Sequence, residues 1–447
     1  MKIKRRERDS VLQSLQAGLV PRQGLHLIQV GRKLETEAIL TDVERIKDGS
    51  ASFRIVVGRF GSGKSFFINL ARTVALTQDL VVIQADFSME RRLYSNGGDA
   101  RALYSELLRN MATRSQPDGG ALASVCEKWI SEIRHRVLSD GGAEEDIESH
   151  LDRDLAELQE LVGGFEFAEV LKSYFRGWQE GDTQLQAKAL KWLRAEYTTK
   201  TEARQDLGVR RIIDDENFYD SLKLLALFCR KAGYDGLLVA LDELVVLTHR
   251  LPSSRARTSN FEAILTFFND AIQGRAEGLG FLLAGTDESL TDPRRGLYSY
   301  EALRSRLSEN RFVEEGLIDL SGPVIRLQAL TPEDLYVLLR NISIVHAKGD
   351  SESRLIPDEG ITEVLKQAND RLGAEFFKTP RDIIRSFVGL LNIIEQNPGK
   401  TWQEILGVSA DSVFQKPTIP QSVEEEIENA SESTSGTEGD DLASFTL

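Results

Sequence analysis

Residues Gly58-Arg59-Phe60-Gly61-Ser62-Gly63-Lys64-Ser65 form a complete phosphate-binding P-loop, and no other stretch restricts the fold as tightly. Gly58, Gly61 and Gly63 let the backbone curl so that its N–H groups converge on a β-phosphate. Lys64 supplies a point charge to the β- and γ-phosphates, and the Ser65 hydroxyl can ligate Mg²⁺. Arg59, Phe60 and Ser62 fill the free positions, and Phe66 follows directly. The flanks agree with the motif. Arg54–Val57 reads as a short apolar strand leading in, and Ser65–Arg72 as a helix leading out, with the phosphate at its N-terminus. The pattern predicts a nucleoside triphosphate site, with ATP and Mg²⁺ as its ligands.

Phosphoryl chemistry at a P-loop needs a second, acidic element. Gly236-Leu237-Leu238-Val239-Ala240-Leu241-Asp242-Glu243 supplies one as an apolar strand ending in two carboxylates. Asp242 is expected to hold the metal's water shell opposite Ser65. Glu243 is expected to polarise the attacking water as general base. A strand ending in Asp-Glu is a weak signal alone and a strong one downstream of a P-loop. Glu243 separates a hydrolase from a nucleotide clamp.

Three further positions are candidates with open alternatives. Gly280–Thr286 reads as another strand, and Thr286 can hydrogen-bond the lytic water or γ-phosphate, or simply start a turn. Arg294, Arg295, Arg304, Arg306 and Arg311 form an arginine cluster in which Arg306 is the best candidate for a finger reaching a neighbouring subunit. The alternative for Arg306 is surface pairing with Glu301 or Glu309, and Arg255 and Arg257 are weaker candidates. Arg381 opens a helix just after Pro380 and either reaches the γ-phosphate or forms an ordinary salt bridge.

Around these motifs, apolar runs at 80–86, 236–242, 278–286 and 323–327 alternate with helical periodicity. That predicts an α/β fold with a mostly parallel sheet covered on both faces. Residues 1–98 hold N-terminal helices, broken at Val20–Gly24, and the first part of the core. A helical insertion at 99–225, expected to pack as its own subdomain, accounts for most of the 178 positions between Lys64 and Asp242. The core resumes at 226–330, an α-helical lid spans 331–414, and an acidic tail occupies 415–447. The tail's eight acidic residues against Lys416 contribute 7 of the 15 net negative charges. It is expected to be disordered, as a solvated tail or a partner-binding segment.

With a net charge of −15 there is no global attraction to nucleic acid. A local basic stretch, Lys188 to Arg211 with Trp192 and Tyr197 interleaved, is either a DNA contact or a solvated helix face. Cys126 and Cys229 lie far apart in sequence without metal-ligand partners nearby. No apolar run approaches a membrane span, and no signal-peptide h-region follows the basic N-terminus. A cytoplasmic protein without membrane attachment is expected.

Taken in order, these elements resemble an AAA+ P-loop ATPase. On that resemblance Val30-Gly31-Arg32 matches the element packed near the adenine, and Gly58–Ser65 and Leu238–Glu243 match the two Walker motifs. Thr286 matches sensor 1, Arg306 a finger and Arg381 sensor 2 of the lid. Leu15–Arg22, Gly233–Leu238, Ala284–Thr286 and Arg295–Leu303 are similar to the BREX-system ATP-binding family (BrxC/BrxD type) of bacterial anti-phage defence. The length is closer to the compact BrxD type. That resemblance implies a role beside helicase, methylase or nuclease partners acting on DNA, and a finger acting across a subunit boundary implies a homo-oligomer. Two readings follow: an ATPase that powers or regulates such a complex, or a nucleotide-dependent assembly switch or scaffold with little hydrolysis. A small-molecule kinase is disfavoured, because no acceptor pocket can be named.

Overall fold

The computed structural model describes residues 3–143, 146–309, 319–372 and 380–413. Five strands form one parallel sheet in the order β2-β3-β4-β1-β5. They are β1 (Ser52–Val57), β2 (Val81–Asp86), β3 (Leu237–Asp242), β4 (Leu279–Gly285) and β5 (Val324–Arg326). Their near-continuous apolar composition is what burial on both faces demands. Side chains alternate strictly between two cores: Ile55, Ile83, Val239 and Phe281 face one, and Val56, Val82, Ala240 and Leu282 face the other. The register sets Asp86 against Asp242 and Val57 against Gly285, so the strand ends meet along one edge.

Helices α1 (Arg5–Gln16), α2 (Leu25–Ile28) and α3 (Lys33–Lys47) precede β1, and α4 (Lys64–Thr77) follows the P-loop. The second core lies between the sheet and α3 and α4. A buried ion pair ties α3 to β1. Arg54 donates to both carboxylate oxygens of Asp42 at 2.6 and 2.8 Å, with the two residues only 4 % and 6 % exposed. Arg54 also donates to the carbonyls of Leu320, at 2.9 Å, and Gly322.

The insertion, from α5 (Asp99–Arg109) to α11 (Phe218–Lys231), covers the opposite face of the sheet. Its buried Tyr104, Trp129, Phe167 and Phe228 belong to the same apolar cluster as Ile83, Val239 and Phe281. It is therefore continuous with the sheet's core, where a self-contained subdomain was expected. Amphipathic periodicity showed that these helices bury one side, but not what they bury it against.

After β3, a π-helical turn (Val246–Arg250) leads to α12 (Ser254–Ile272), and α13 (Asp287–Thr291) and α14 (Glu301–Leu307) follow β4. The C-terminal bundle holds α15 (Pro332–His346), α16 (Asp358–Leu372), α17 (Pro380–Gln396) and α18 (Trp402–Val413). Its core includes Val11, Leu12, Leu15 and Ile28. So α1 and α2 pack on the C-terminal bundle, although they precede the sheet in sequence. Arg8 of α1 donates to the His346 carbonyl at 3.0 Å on the same seam.

The start of α15 carries a complete capping box between Thr331 and Asp334, with Pro332 at its first turn. Thr331→Ala is expected to cost about 1 kcal/mol, read as a lower urea midpoint at constant slope. An unchanged midpoint would mean that water replaces the hydroxyl at no cost. The acidic tail at 415–447 and Arg311 lie outside the described residues.

Candidate nucleotide-binding site

The sheet's C-terminal edge, the P-loop and the C-terminal bundle enclose a cleft of about 330 Å³. One end is built by the P-loop. Gly61 and Gly63 hold φ of 78° and 91°, values that only glycine adopts freely, and Gly63 caps α4. A Cβ on Gly58 would come within 2.7 Å of Ser62 Oγ and 3.2 Å of the Leu327 carbonyl. The first turn of α4 thus presents its unpaired N–H groups to the cleft. Lys64 Nζ donates to the Gly58 and Arg59 carbonyls at 3.0 and 2.9 Å. Desolvation lowers its pKa, opposed by the negative charges of Asp242, Asp287 and Glu243.

Strand pairing brings the acidic element to the P-loop. Ser65 Oγ donates to Asp242 Oδ2 at 2.8 Å across 177 positions of sequence. Asp242 Oδ1 accepts from the Glu243 backbone N–H at 2.8 Å, so both carboxylate oxygens are directed. Glu243 is exposed and lines the cleft with a φ of 63°, a left-handed conformation that is uncommon for any residue but glycine. Strain of this kind clusters at working sites. Thr286 also lines the cleft, and it caps α13: its hydroxyl accepts from the Ser289 N–H at 3.3 Å and lies 3.0 Å from Ser289 Oγ. The turn-starting role and a cleft-facing role coincide at this residue.

The opposite end of the cleft is apolar, lined by Leu15, Val20, Ile28, Val30, Leu338 and Ile384. An uncharged aromatic base suits such walls. Of the Val30-Gly31-Arg32 element, Val30 and Arg32 reach the cleft. Gly31, at φ 63°, packs toward Asp334, whose carboxylate oxygens would lie 3.4 Å from a Cβ placed there. Arg32 Nη2 donates to the carbonyls of Ser62 at 3.2 Å and Gln328 at 2.5 Å.

Arg381 lines the cleft with its guanidinium over the Phe60 ring, 5.5 Å from the centroid. Its stem packs on Gly18. Arg306 lies outside the cleft. It donates to Asn269 Oδ1 and the Ala302 carbonyl, both at 2.9 Å, and has no bond to either glutamate. Glu301 instead approaches Arg304 at 4.0 Å, and Glu309 binds Arg326. In the insertion's basic stretch Lys188 is bound to Asp206, Lys191 to Glu202, and Arg211 lies 3.8 Å from Glu166. Trp192 and Tyr197 are 3 % and 1 % exposed, and their polar tips donate to the Arg211 carbonyl and Asp206. They form no stacking platform.

These residues fit a magnesium nucleotide. The Ser65–Asp242 pair provides oxygen donors at one point, and Ser62 Oγ is a buried hydroxyl without a partner beside them in the loop. No group of three or more His, Cys, Asp or Glu side chains suited to a metal occurs among the described residues. Magnesium held here would therefore depend on phosphate oxygens and water for most of its shell. Lys64→Ala is expected to weaken nucleotide binding about 100-fold by removing a charge-assisted phosphate contact. Fluorescence titration with a labelled nucleotide would read this, and unchanged affinity would place the phosphates elsewhere.

Of the cleft's apolar walls, sequence reasoning missed Leu15, Ile28, Leu338 and Ile384, and among its charged lining residues it missed Arg250. Its position follows from the π-helical turn, which has no composition signature. Residues 3–410 match the family model described as BREX system ATP-binding protein BrxC/D. Comparison with curated proteins gives no match.

Proposed function

Because the chain belongs to the BREX system ATP-binding BrxC/D family, we propose that it hydrolyses the ATP it binds and thereby powers or regulates a DNA-directed anti-phage complex. The observation that carries the hydrolysis reading is the 2.8 Å bond between Ser65 and Asp242, with Glu243 beside them facing the cleft. In this reading Glu243 accepts a proton from water as the water oxygen bonds to the γ-phosphorus. The bond from that phosphorus to the bridging oxygen breaks, and ADP leaves with the electron pair. Lys64 and the N–H groups at the start of α4 hold the phosphates in line. Ser65 and Asp242 would hold Mg²⁺, which when bound offsets charge on the β- and γ-phosphate oxygens. Thr286 orients the water or the γ-phosphate, and Arg381 moves from Phe60 to the phosphates.

Arg306 fits the reading as a finger for a second copy of the chain, since its helix lies outside the cleft that its own subunit forms. Self-association follows from that role. The family places other components of the BREX system as partners. The helicase, methylase or nuclease class of partner, the closeness to the compact BrxD type, and a cytoplasmic setting belong to this proposal. Among the described residues no helix is long and apolar enough to cross a membrane. The free, buried Cys126 and Cys229 are compatible with a reducing compartment.

The deciding experiment measures ATP turnover by the purified chain over a range of its own concentrations, with and without DNA. Specific activity that rises with protein concentration and with DNA supports the assembled, DNA-directed ATPase. Tight ATP binding without turnover under any condition overturns hydrolysis in favour of an assembly switch or scaffold.

A further inference from the structure

Arg250 ends the five-residue π-helical turn that follows Glu243. Such turns insert an extra residue into a helical path, reorient the side chains around it, and occur often at working sites. Here the turn places Arg250, an exposed residue, in the lining of the cleft that also holds Glu243, Val245 and Thr286.

Its backbone is pinned on both sides. Before it, the two ring nitrogens of His249 lie 2.8 Å from Thr248 Oγ1 and 3.2 Å from Asp292 Oδ2. Asp292 is itself fixed by the N–H groups of Arg294 and Arg295 at 2.7 and 2.9 Å, which hold its carboxyl below the usual range. After it, Leu251 is buried, and its carbonyl accepts from Arg257 at 3.3 Å. The guanidinium has no hydrogen bond or ion pair among the described residues. The other cations of the cleft are engaged: Lys64 with loop carbonyls, Arg32 with Ser62 and Gln328, Arg381 with Phe60. An unpaired arginine on a fixed backbone, lining the same cleft as the candidate general base, is a charge placed for an anionic ligand.

We propose that Arg250 is a cation supplied by the same subunit to the terminal phosphate of bound ATP. The proposal rests on the ATP-hydrolysis reading and extends it by naming a residue of the same chain that touches the substrate. The guanidinium transfers no proton and acts by offsetting charge on the transferred phosphoryl group. Turnover would then have a contribution that needs no second subunit.

The test compares wild type, Arg250→Ala and Arg250→Lys, with Arg306→Ala alongside. It measures kcat and KM for ATP, and the Kd of ADP and of a non-hydrolysable β,γ-imido ATP analogue. Arg250→Ala is expected to lower kcat about 100-fold, the scale of losing one charge-stabilising donor. Its affinity for the imido analogue is expected to fall about tenfold while ADP affinity stays within about twofold, and lysine restores part of both effects. Retained ADP binding shows that the variant is folded. If Arg250→Ala does not bind ADP, Arg250→Lys decides by the same two measurements. Wild-type turnover with an undiminished preference for the triphosphate overturns the proposal, as does an equal loss of both ligands. If wild type binds ATP without hydrolysing it, the hydrolysis reading fails, and the imido-versus-ADP comparison still decides whether Arg250 meets the terminal phosphate.

Discussion

Glu243→Gln is expected to lower kcat about 1000-fold, within the range for loss of a general base, while ATP affinity changes less than about threefold. The amide keeps the size and polarity of the side chain but cannot accept a proton. The groups placed to hold nucleotide are untouched: Lys64 in the loop, and the Ser65–Asp242 bond at 2.8 Å. The backbone at Glu243 is held by its own N–H on Asp242 Oδ1, so the substitution has little freedom to rearrange the strand end. Steady-state phosphate release and equilibrium ATP binding, measured on the same preparations, check the two halves separately. A variant that turns over like wild type would remove Glu243 from the proton path. Joint loss of binding and turnover would instead assign it a structural role.

Asp42→Ala is expected to destabilise the chain by about 3–5 kcal/mol, the cost of stranding a buried charge. Arg54 would lose both short bonds to the carboxylate and keep only those to the Leu320 and Gly322 carbonyls. The damage falls on β1, the strand that delivers the chain into the P-loop. A fall in the urea midpoint without a change in slope would register it. Replacing both partners together, as Asp42→Leu with Arg54→Met, is expected to cost less than the single change, because no uncompensated charge remains. A loss below about 1 kcal/mol for the single variant would mean that water reaches the guanidinium.

The parts of this molecule that could be read in the sequence are those whose chemistry is local. Val81–Ala85 and Leu237–Leu241 declare themselves as strands because both faces are buried, which leaves a continuous apolar run. The meeting of the P-loop with Asp242 is legible because a glycine-rich turn after one strand and a carboxylate ending another are local patterns. What was not legible depends on distant packing. The apolar stripe of α1 says that Val11, Leu12 and Leu15 are buried, and nothing nearby says that α15 and α17 cover them. Trp192 and Tyr197 among lysines resemble a nucleic-acid platform. Their indole and phenol hydrogens are satisfied by the Arg211 carbonyl and Asp206, 19 and 9 residues away. Arg250 is hidden for a related reason, since an extra residue in a helical turn changes where a side chain points without changing the composition.

Among the described residues, Arg32 touches both segments that join the two halves of the molecule. The chain passes between the C-terminal bundle's core and the sheet's core twice, once between Ile28 and Ala38 and again between Leu327 and Leu335. Arg32 lies on the first passage and grips the second through the Gln328 carbonyl, while the same nitrogen holds the Ser62 carbonyl of the P-loop. The two passages and the P-loop thereby meet at one guanidinium. A shift of the Ser62 carbonyl would therefore be felt by both passages at once, through a single guanidinium.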